Sequence, residues 1–470
     1  MRRSLMYNFR GVYGKELTHS IAYLAGKIAA QHYKAVRKKD APKIIVGNDH
    51  RFSSNSLKHY LMQGMISQGV IIRDIGCLPT SVLSYAVKKA ADGGCMVTAS
   101  HNPPEYNGLK FFEASGAVMK PAVEDAILEQ VMKEHGEHFD VTNIGMITKN
   151  YGITPPVAII SEYVDNVAAR MKVPRPLNIG LDCRLGTAFL IMPQLIKELR
   201  CNYFPIHDQL NPYFIKQNGE YLNPEPKESN IRDISTLVKC ASLDMGLIFD
   251  GDADRTVVVD NQGNYVHDDM VLLLLAEEYG GADKRKVVTV DTSLAVGNYL
   301  KAKGFELFVT PVGDPFVAQA LLEGKGSFGG VPNGHYIFPD FTPYSDGIFT
   351  AAVMVQIASK LASEGKRLSE HIAELPKTHL KKVKVPFGRS RDDFLQVVAP
   401  QLKVLFSRYC RKVDYLQTDD TVVVGKDEQS KMLVRYNRWD NNFNVHAESL
   451  ESDEAAEEYL TQIVGLLENC

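Results

Sequence analysis

The sequence predicts an α/β protein: three α/β domains with mixed, largely parallel sheets, followed by a smaller C-terminal α+β domain. Three observations carry this expectation. The chain has 470 residues, too many for one ordinary hydrophobic core. Short β-branched runs alternate with amphipathic segments, the pattern of parallel strands linked by covering helices. Beyond residue 377 the alternation gives way to strand pairs followed by a helix, which marks an α+β unit.

In the first unit, residues 43–46 read as a strand, 55–68 as a helix, 70–74 as a strand, 81–91 as a helix and 95–98 as a strand. The loop after that strand, 99–108, lies where parallel sheets collect function, at a strand's carboxyl end. The rhythm then recurs with a strand at 177–181, a helix at 188–199, and strands at 245–249 and 256–260 flanking a short acidic loop. A turn at 261–263 leads to strands at 287–290 and 307–309 around a helix at 293–303, and a long helix spans 346–363. Residues 365–377 have a linker-like mix of charge, Gly and Pro. After it come a strand at 380–386, a helix at 392–406, strands at 431–435 and 443–447, and a helix near 454–467. The expected domains are 1–152, 153–262, 263–377 and 378–470, an architecture repeated without a literal sequence repeat.

Composition narrows the function class. Hydrophobic residues make up 45% and charged residues 23%, the balance of a soluble globular protein. A formal net charge of −3 provides no global basic field to attract nucleic acid. No signal peptide is evident, and no apolar run approaches the roughly 18 residues that would span a membrane. The seven cysteines are dispersed without a C-x-x-C pair, which argues against a disulfide framework or zinc site and for free thiols in a reducing cytoplasm.

The sharpest chemical signal is Asp250-Gly251-Asp252-Ala253-Asp254-Arg255, between two apolar strands. Three carboxylates at alternate positions can converge on one hard cation, and oxygen ligands suit Mg²⁺. A calcium EF-hand loop needs Gly at its sixth position and Glu at its twelfth; Arg255 and Asn261 stand there instead. The alternative is a solvated acidic hairpin, which packing three charges between strands disfavours. The second signal is Thr98-Ala99-Ser100-His101-Asn102-Pro103, followed by Tyr106-Asn107-Gly108-Leu109-Lys110. Taken alone, Ser-His-Asn-Pro is more often a turn than a nucleophile site. Its place at a strand end, with His101 and Lys110 as proton-handling groups, favours chemistry. No G-x-S-x-G elbow surrounds Ser100, which removes the usual acyl-hydrolase reading.

Together these motifs resemble the phosphoserine loop and metal loop of the α-D-phosphohexomutase family. Phe9-Arg10-Gly11, the stretch Gly47-Asn48-Asp49-His50-Arg51-Phe52-Ser53-Ser54 and Thr310-Pro311-Val312-Gly313-Asp314 resemble three further elements of that family. The resemblance covers essentially the whole chain, and the nearest subgroup is phosphomannomutase/phosphoglucomutase. It implies a four-domain, heart-shaped enzyme with a central cleft. Ser100 would carry the phosphoryl group, and one Mg²⁺ would be held by that phosphoserine with Asp250, Asp252 and Asp254. Transfer would interconvert hexose 1-phosphate and hexose 6-phosphate through a hexose 1,6-bisphosphate, which also serves as activator. Arg255 and Arg51 would balance phosphate charge, with Lys110 and His101 as acid/base group and neighbour. The substrate-binding set implied is Arg10, Arg51, Asn333, His335, Arg435, Asn437 and Arg438. The partner implied is a small sugar phosphate, with no nucleic acid or membrane, on a monomer or small homo-oligomer.

Two loops depart from the family pattern. Where the sugar-reading G-E-x-S-G-H is expected, the chain has Gly330-Val331-Pro332-Asn333-Gly334-His335, so the hydroxyl-binding Glu is Val331 and the Ser is Asn333. Where the phosphate loop R-P-S-G-T-E-P is expected, Arg435-Tyr436-Asn437-Arg438-Trp439-Asp440-Asn441 keeps Arg435 but replaces both hydroxyl donors, by Asn437 and Trp439. Arg438 adds a guanidinium suited to phosphate, and Trp439 either stacks on a ligand or packs. Three functions fit: a mutase for an unusual sugar phosphate, a phosphosugar-binding relative with weak mutase activity, and a metal-dependent sugar phosphatase.

Overall fold

A computed structural model describes residues 9–135, 151–387, 391–417, 421–437 and 442–469. Four five-stranded sheets follow one another along the chain. In the first, Gly93–Val97, Lys43–Asn48, Ile71–Cys77 and Tyr151–Ile153 lie parallel in that order, and Leu109–Glu113 adds to Gly93–Val97 antiparallel. In the second, Asn202–Ile206, Asn178–Asp182 and Met245–Phe249 are parallel, and Thr256–Val259 and Tyr265–Val266 follow antiparallel. The third repeats the plan, with Glu306–Thr310, Arg285–Thr289 and Phe328–Val331 parallel and His335–Phe338 and Thr342–Ser345 antiparallel. The fourth sheet is antiparallel throughout, in the order His379–Pro386, Asn442–Ser449, Ser430–Asn437, Thr421–Lys426 and Lys412–Gln417. The expectation of three mixed α/β units and an α+β tail therefore holds.

The three mixed sheets share a feature that places the site. In each, one loop joins the last parallel strand to its first antiparallel neighbour: residues 98–108, 250–255 and 332–334. A reversal at the carboxyl end of a parallel strand exposes that loop on the side where such sheets bind ligands. All three loops contribute to the site described below.

The long helix Gly347–Ser363 is buried on nearly every face, as a helix apolar all round must be. Asp346 caps it: its Oδ1 accepts from Phe349 N at 2.9 Å, and both its carboxylate oxygens accept from the Tyr163 hydroxyl at 2.6 and 2.7 Å. Burial pushes the Asp346 carboxyl up to about 6. The helix starts against the acidic loop, because a Cβ at Gly347 would lie 2.7 Å from the carbonyl oxygens of Ala253 and Arg255. Only glycine permits that approach.

Element boundaries depart from expectation mainly at prolines. The helix expected over 188–199 is a short 3₁₀ turn, Thr187–Leu190, and then Met192–Glu198, with Pro193 in its first turn. The one expected over 392–406 passes through a π-turn at Phe394–Val398 and then the helix Ala399–Phe406, with Pro400 in its first turn. Proline lacks the N–H and crowds the preceding turn, so the chain re-registers there. The segment taken as a linker contains the helix Leu368–Ala373. The helices His19–Arg37 and Pro121–His135 and the strand Leu109–Glu113 were not expected. Among the described residues no helix is long and apolar enough to cross a membrane.

Candidate active site

Ser100 sits at the carboxyl end of Gly93–Val97, 4% exposed and with φ of 49°. This left-handed backbone is uncommon for a residue with a side chain, and it is held by surrounding bonds. Its N–H donates to Thr98 Oγ1 at 2.9 Å. Its hydroxyl donates to Asp250 Oδ2 at 2.7 Å and lies 3.1 Å from His101 Nδ1. The acidic loop closes directly over it: a Cβ at Gly251 would be 2.6 Å from the Ser100 carbonyl oxygen. That glycine is what lets two loops from different units touch.

Asp250, Asp252 and Asp254 are all buried, and one ligand oxygen from each lies within 4.8 Å of the others. Each carboxylate is oriented by neighbours. Asp250 Oδ2 takes the Ser100 hydroxyl and Arg255 Nε, the latter at 3.3 Å. Asp252 Oδ2 accepts from Thr80 Oγ1 at 2.6 Å and Thr98 Oγ1 at 3.2 Å. Asp254 Oδ2 accepts from Lys110 Nζ at 3.0 Å and from the Tyr344 hydroxyl. The other oxygens of Asp252 and Asp254, both Oδ1, are buried with no partner. Two buried, unpartnered carboxylate oxygens beside a third carboxylate form a donor set that fits a hard divalent cation.

The electrostatics divide the three acids. Burial raises Asp250 well above the usual carboxylate range, reinforced by Asp254 and Asp252, and raises Asp252 for the same reasons. Burial also acts upward on Asp254, but Lys110, His335 and Arg255 hold it well below the usual range. Lys110 would be lowered by burial; Asp254 and Asp252 outweigh that and keep it charged. Burial, with Arg255 and Arg10, pushes His101 well below its ordinary value, so it is neutral.

The remaining expected site residues separate into three groups. Arg255 is 6% exposed, and its Nη2 is buried without a partner, a guanidinium donor held ready beside Asp250. Arg10 donates to Asn102 Oδ1 at 3.0 Å, at the edge of the Ser100 loop. His335 stands with Nδ1 2.9 Å from Ser345 Oγ and 4.0 Å from Asp254 Oδ1, which brings the third unit into the same cluster. Asn333 is exposed at the tip of the 332–334 turn.

Two expectations need correcting. Arg51 was expected to face a substrate phosphate, but its donors are spent internally. Nε donates to Asp49 Oδ2, Nη1 to the carbonyls of Pro103 and Tyr106, and Nη2 to those of Ser100 and Asn102. All five guanidinium N–H groups are thus used to shape the Ser100 loop. Val331 was expected to stand where a sugar hydroxyl reaches. It is 1% exposed and packs in an apolar cluster with Val287, Val317, Leu321 and Ile337.

Arg435 lies on Ser430–Asn437, half-buried, opposite Asn444 and Val422 in the fourth sheet. That sheet packs on the third through Val290, Val422, Val424 and Leu433. Arg438, Trp439 and the side chain of Asn437 lie outside the described residues. Sequence reading missed Thr80 and Tyr344. Thr80 also donates its backbone N–H to the Asp252 carbonyl at 3.0 Å. Neither residue sits in a motif, and each reaches the acidic loop only because the fold brings another unit's element against it.

Comparison with known proteins places this site in context. Family models described as phosphoglucomutase/phosphomannomutase α/β/α domains I, II and III match residues 6–137, 161–263 and 267–379. A phosphoglucomutase/phosphomannomutase of Thermococcus kodakarensis is 33% identical over 467 residues, covering 98% of this chain and 97% of the relative. A probable phosphoglucosamine mutase of Methanothermobacter thermautotrophicus is 30% identical over 464 residues, covering 98% and 96%. A crystal structure of a phosphoglucomutase/phosphomannomutase family protein from Burkholderia thailandensis superposes with a TM-score of 0.81 at 23% identity, covering 98% of this chain and 95% of that one. This last likeness concerns the fold.

Proposed function

Because the chain belongs to the phosphoglucomutase/phosphomannomutase family, we propose that it interconverts hexose 1-phosphate and hexose 6-phosphate through a phosphoserine at Ser100 and a hexose 1,6-bisphosphate. Members of this family are isomerases that move phosphate within one molecule. The observation that carries the proposal is the Ser100 hydroxyl, 2.7 Å from Asp250 Oδ2 at the mouth of a buried three-carboxylate cluster. A pure binding protein would have little use for a nucleophile and a metal cradle built together from two units.

In the first transfer the bond from Ser100 Oγ to phosphorus breaks and one from a sugar hydroxyl oxygen to phosphorus forms. The hydroxyl proton is returned to Ser100 Oγ. His101, neutral and 3.1 Å away, and Lys110, held charged, are the groups that relay it. In the second transfer the sugar's other phosphate passes to Ser100 by the reverse sequence. A hard divalent cation such as Mg²⁺, held by Asp250, Asp252 and Asp254, would neutralise charge on the phosphoryl oxygens. Arg255 Nη2 is the protein donor available to the same oxygens. Arg51 shapes the loop without touching the substrate, and His335 and Arg10 face it from two sides.

Relatives named for glucose, mannose and glucosamine phosphates lie at similar identity. With Val331 packed away, hydroxyl recognition passes to His335 and Asn333. The deciding assay is Mg²⁺-dependent turnover of glucose, mannose, glucosamine and N-acetylglucosamine 1-phosphates with a bisphosphate activator, together with mass spectrometry of Ser100. Turnover of one of them with phosphate on Ser100 is expected. No turnover and an unmodified Ser100 would leave a phosphosugar-binding protein, and stoichiometric release of inorganic phosphate would make it a phosphatase.

A further inference from the structure

A cavity of about 510 Å³ lies away from the acidic cluster, where residues 175–177 and 239–244, the turn after Thr256–Val259, and the segment following the long helix converge. Its lining carries four cations, Arg175, Lys239, Lys366 and Arg367, against one carboxylate, Asp244. Asp244 is already engaged, accepting from Asn178 N at 2.7 Å. Lys366 pairs with Glu374, and Arg175 uses Nη1 on the Ala362 carbonyl at 2.7 Å. Among the described residues, Lys239 and Arg367 have no carboxylate within ion-pair distance. Asn261 completes the wall: its Oδ1 accepts from Ser369 N at 3.0 Å, while its Nδ2 is buried with no partner.

Like charges gathered around a concave surface repel one another unless an anion joins them. Two guanidinium groups, an ammonium and an unpartnered amide N–H are the donors that recognise a phosphate. The volume falls in the range of roughly 300–1,000 Å³ typical of small-ligand sites. We propose that this cavity is a second anion site, for a phosphate dianion either free or carried by a small metabolite, distinct from the catalytic cleft.

Its position relates it to the active site. Asn261 begins the turn that follows Thr256–Val259, the strand leaving the acidic loop. The helix Gly347–Ser363 starts against that loop and ends beside Ala362, which lines the cavity and receives Arg175. An anion held by Lys239, Asn261 and Arg367 joins the end of the helix Arg232–Cys240 to the far ends of the two elements that support the metal-binding carboxylates.

Hydrogen–deuterium exchange on the full chain, with orthophosphate and a hexose 6-phosphate as separate probes, tests this. The expected result is slowed exchange in residues 259–264 and 364–370, besides any change in the catalytic loops. The charge-reversed double variant Lys239→Glu with Arg367→Glu should lose that protection, or need at least about tenfold more probe, with its thermal unfolding unchanged. Arg367→Gln alone should weaken protection by a smaller factor. A hexose 6-phosphate acting at about tenfold lower concentration than orthophosphate identifies an organic phosphate; equal potency identifies free phosphate. Protection confined to residues 98–110 and 250–255 overturns the proposal, as does protection that survives both charge reversals.

Discussion

Replacing Arg51 by lysine separates two roles that predict opposite kinetics. If Arg51 balanced substrate phosphate charge, lysine would keep the charge and mainly raise KM. In the structure, however, Arg51 donates to one carboxylate and four backbone carbonyls: Asp49 at 3.1 Å, Pro103 at 2.7 Å, Tyr106 at 3.1 Å, Ser100 at 2.7 Å and Asn102 at 2.6 Å. Lysine has three N–H donors and no planar fork, so at least two of these acceptors lose their partner. Each buried acceptor left unmet costs about 1–3 kcal/mol, so the loop loses about 2–6 kcal/mol of local stability. The expected outcome is exchange of amides in residues 98–108 accelerated by at least about thirtyfold without substrate, since each 1.4 kcal/mol is about a factor of ten. Turnover should fall with it, because a nucleophile displaced by about 1 Å loses on the order of a hundredfold in rate. Unchanged exchange in the free protein, with only KM raised, would refute the reasoning and return Arg51 to the substrate.

Three further outcomes follow from the same geometry. Tyr344→Phe removes a hydroxyl from Asp254 Oδ2 and leaves Lys110 as its remaining donor there, so divalent-cation affinity should drop about tenfold or more; Mn²⁺ titration by electron paramagnetic resonance reads this without turnover. Val331→Glu places a carboxyl among Val287, Val317, Leu321 and Ile337, so it should cost at least about 2 kcal/mol in a denaturant titration and give no gain with glucose or mannose 1-phosphate; a gain would return Val331 to the sugar site. Glu124 is 4% exposed, and burial raises its carboxyl from 4.5 to about 8. The folded state therefore holds a proton there that the unfolded chain releases, and stability contributed below pH 4.5 declines until pH passes about 8. Glu124→Gln should flatten the urea midpoint against pH over that interval, and an unchanged slope would show that Glu124 is not its source.

The sequence showed the chemistry more fully than the support for it, for a physical reason. Ser100, His101 and Lys110, and separately Asp250, Asp252 and Asp254, lie within short stretches bounded by strands, so local pattern alone isolates them. What makes them a site is contact between stretches distant along the chain: Gly251 against the Ser100 carbonyl, Thr80 on Asp252, Tyr344 on Asp254 and Lys110. A threonine at a helix start and a tyrosine on an edge strand carry no local mark of this duty. Arg51 was misread because charge is visible in a sequence, whereas the carbonyls that consume its donors depend on the loop's shape. Val331 was misread because a motif position fixes register but not what packs around the side chain.

The three mixed sheets explain why these contacts form at all. Each turns from parallel to antiparallel at one loop, and those loops hold, in order, Ser100, the three aspartates, and the turn before His335. A strand reversal frees the backbone at a strand's carboxyl end, and each unit thereby presents one short, constrained loop. The shared helix Gly347–Ser363 packs against the aspartate loop at its start and lies in one continuous core with all three units. The proposed nucleophile, the three-carboxylate cluster and the histidine proposed to face the sugar thus come from three repeats of one topological device, and the candidate site exists only where they meet. A substitution that loosens the helix cap at Asp346 should accordingly disturb cation affinity, although Asp346 is not among the three carboxylates. Asp346→Ala removes the acceptor of Tyr163 and of Phe349 N together, and Mn²⁺ affinity unchanged in that variant would show that the three loops hold their places without the helix.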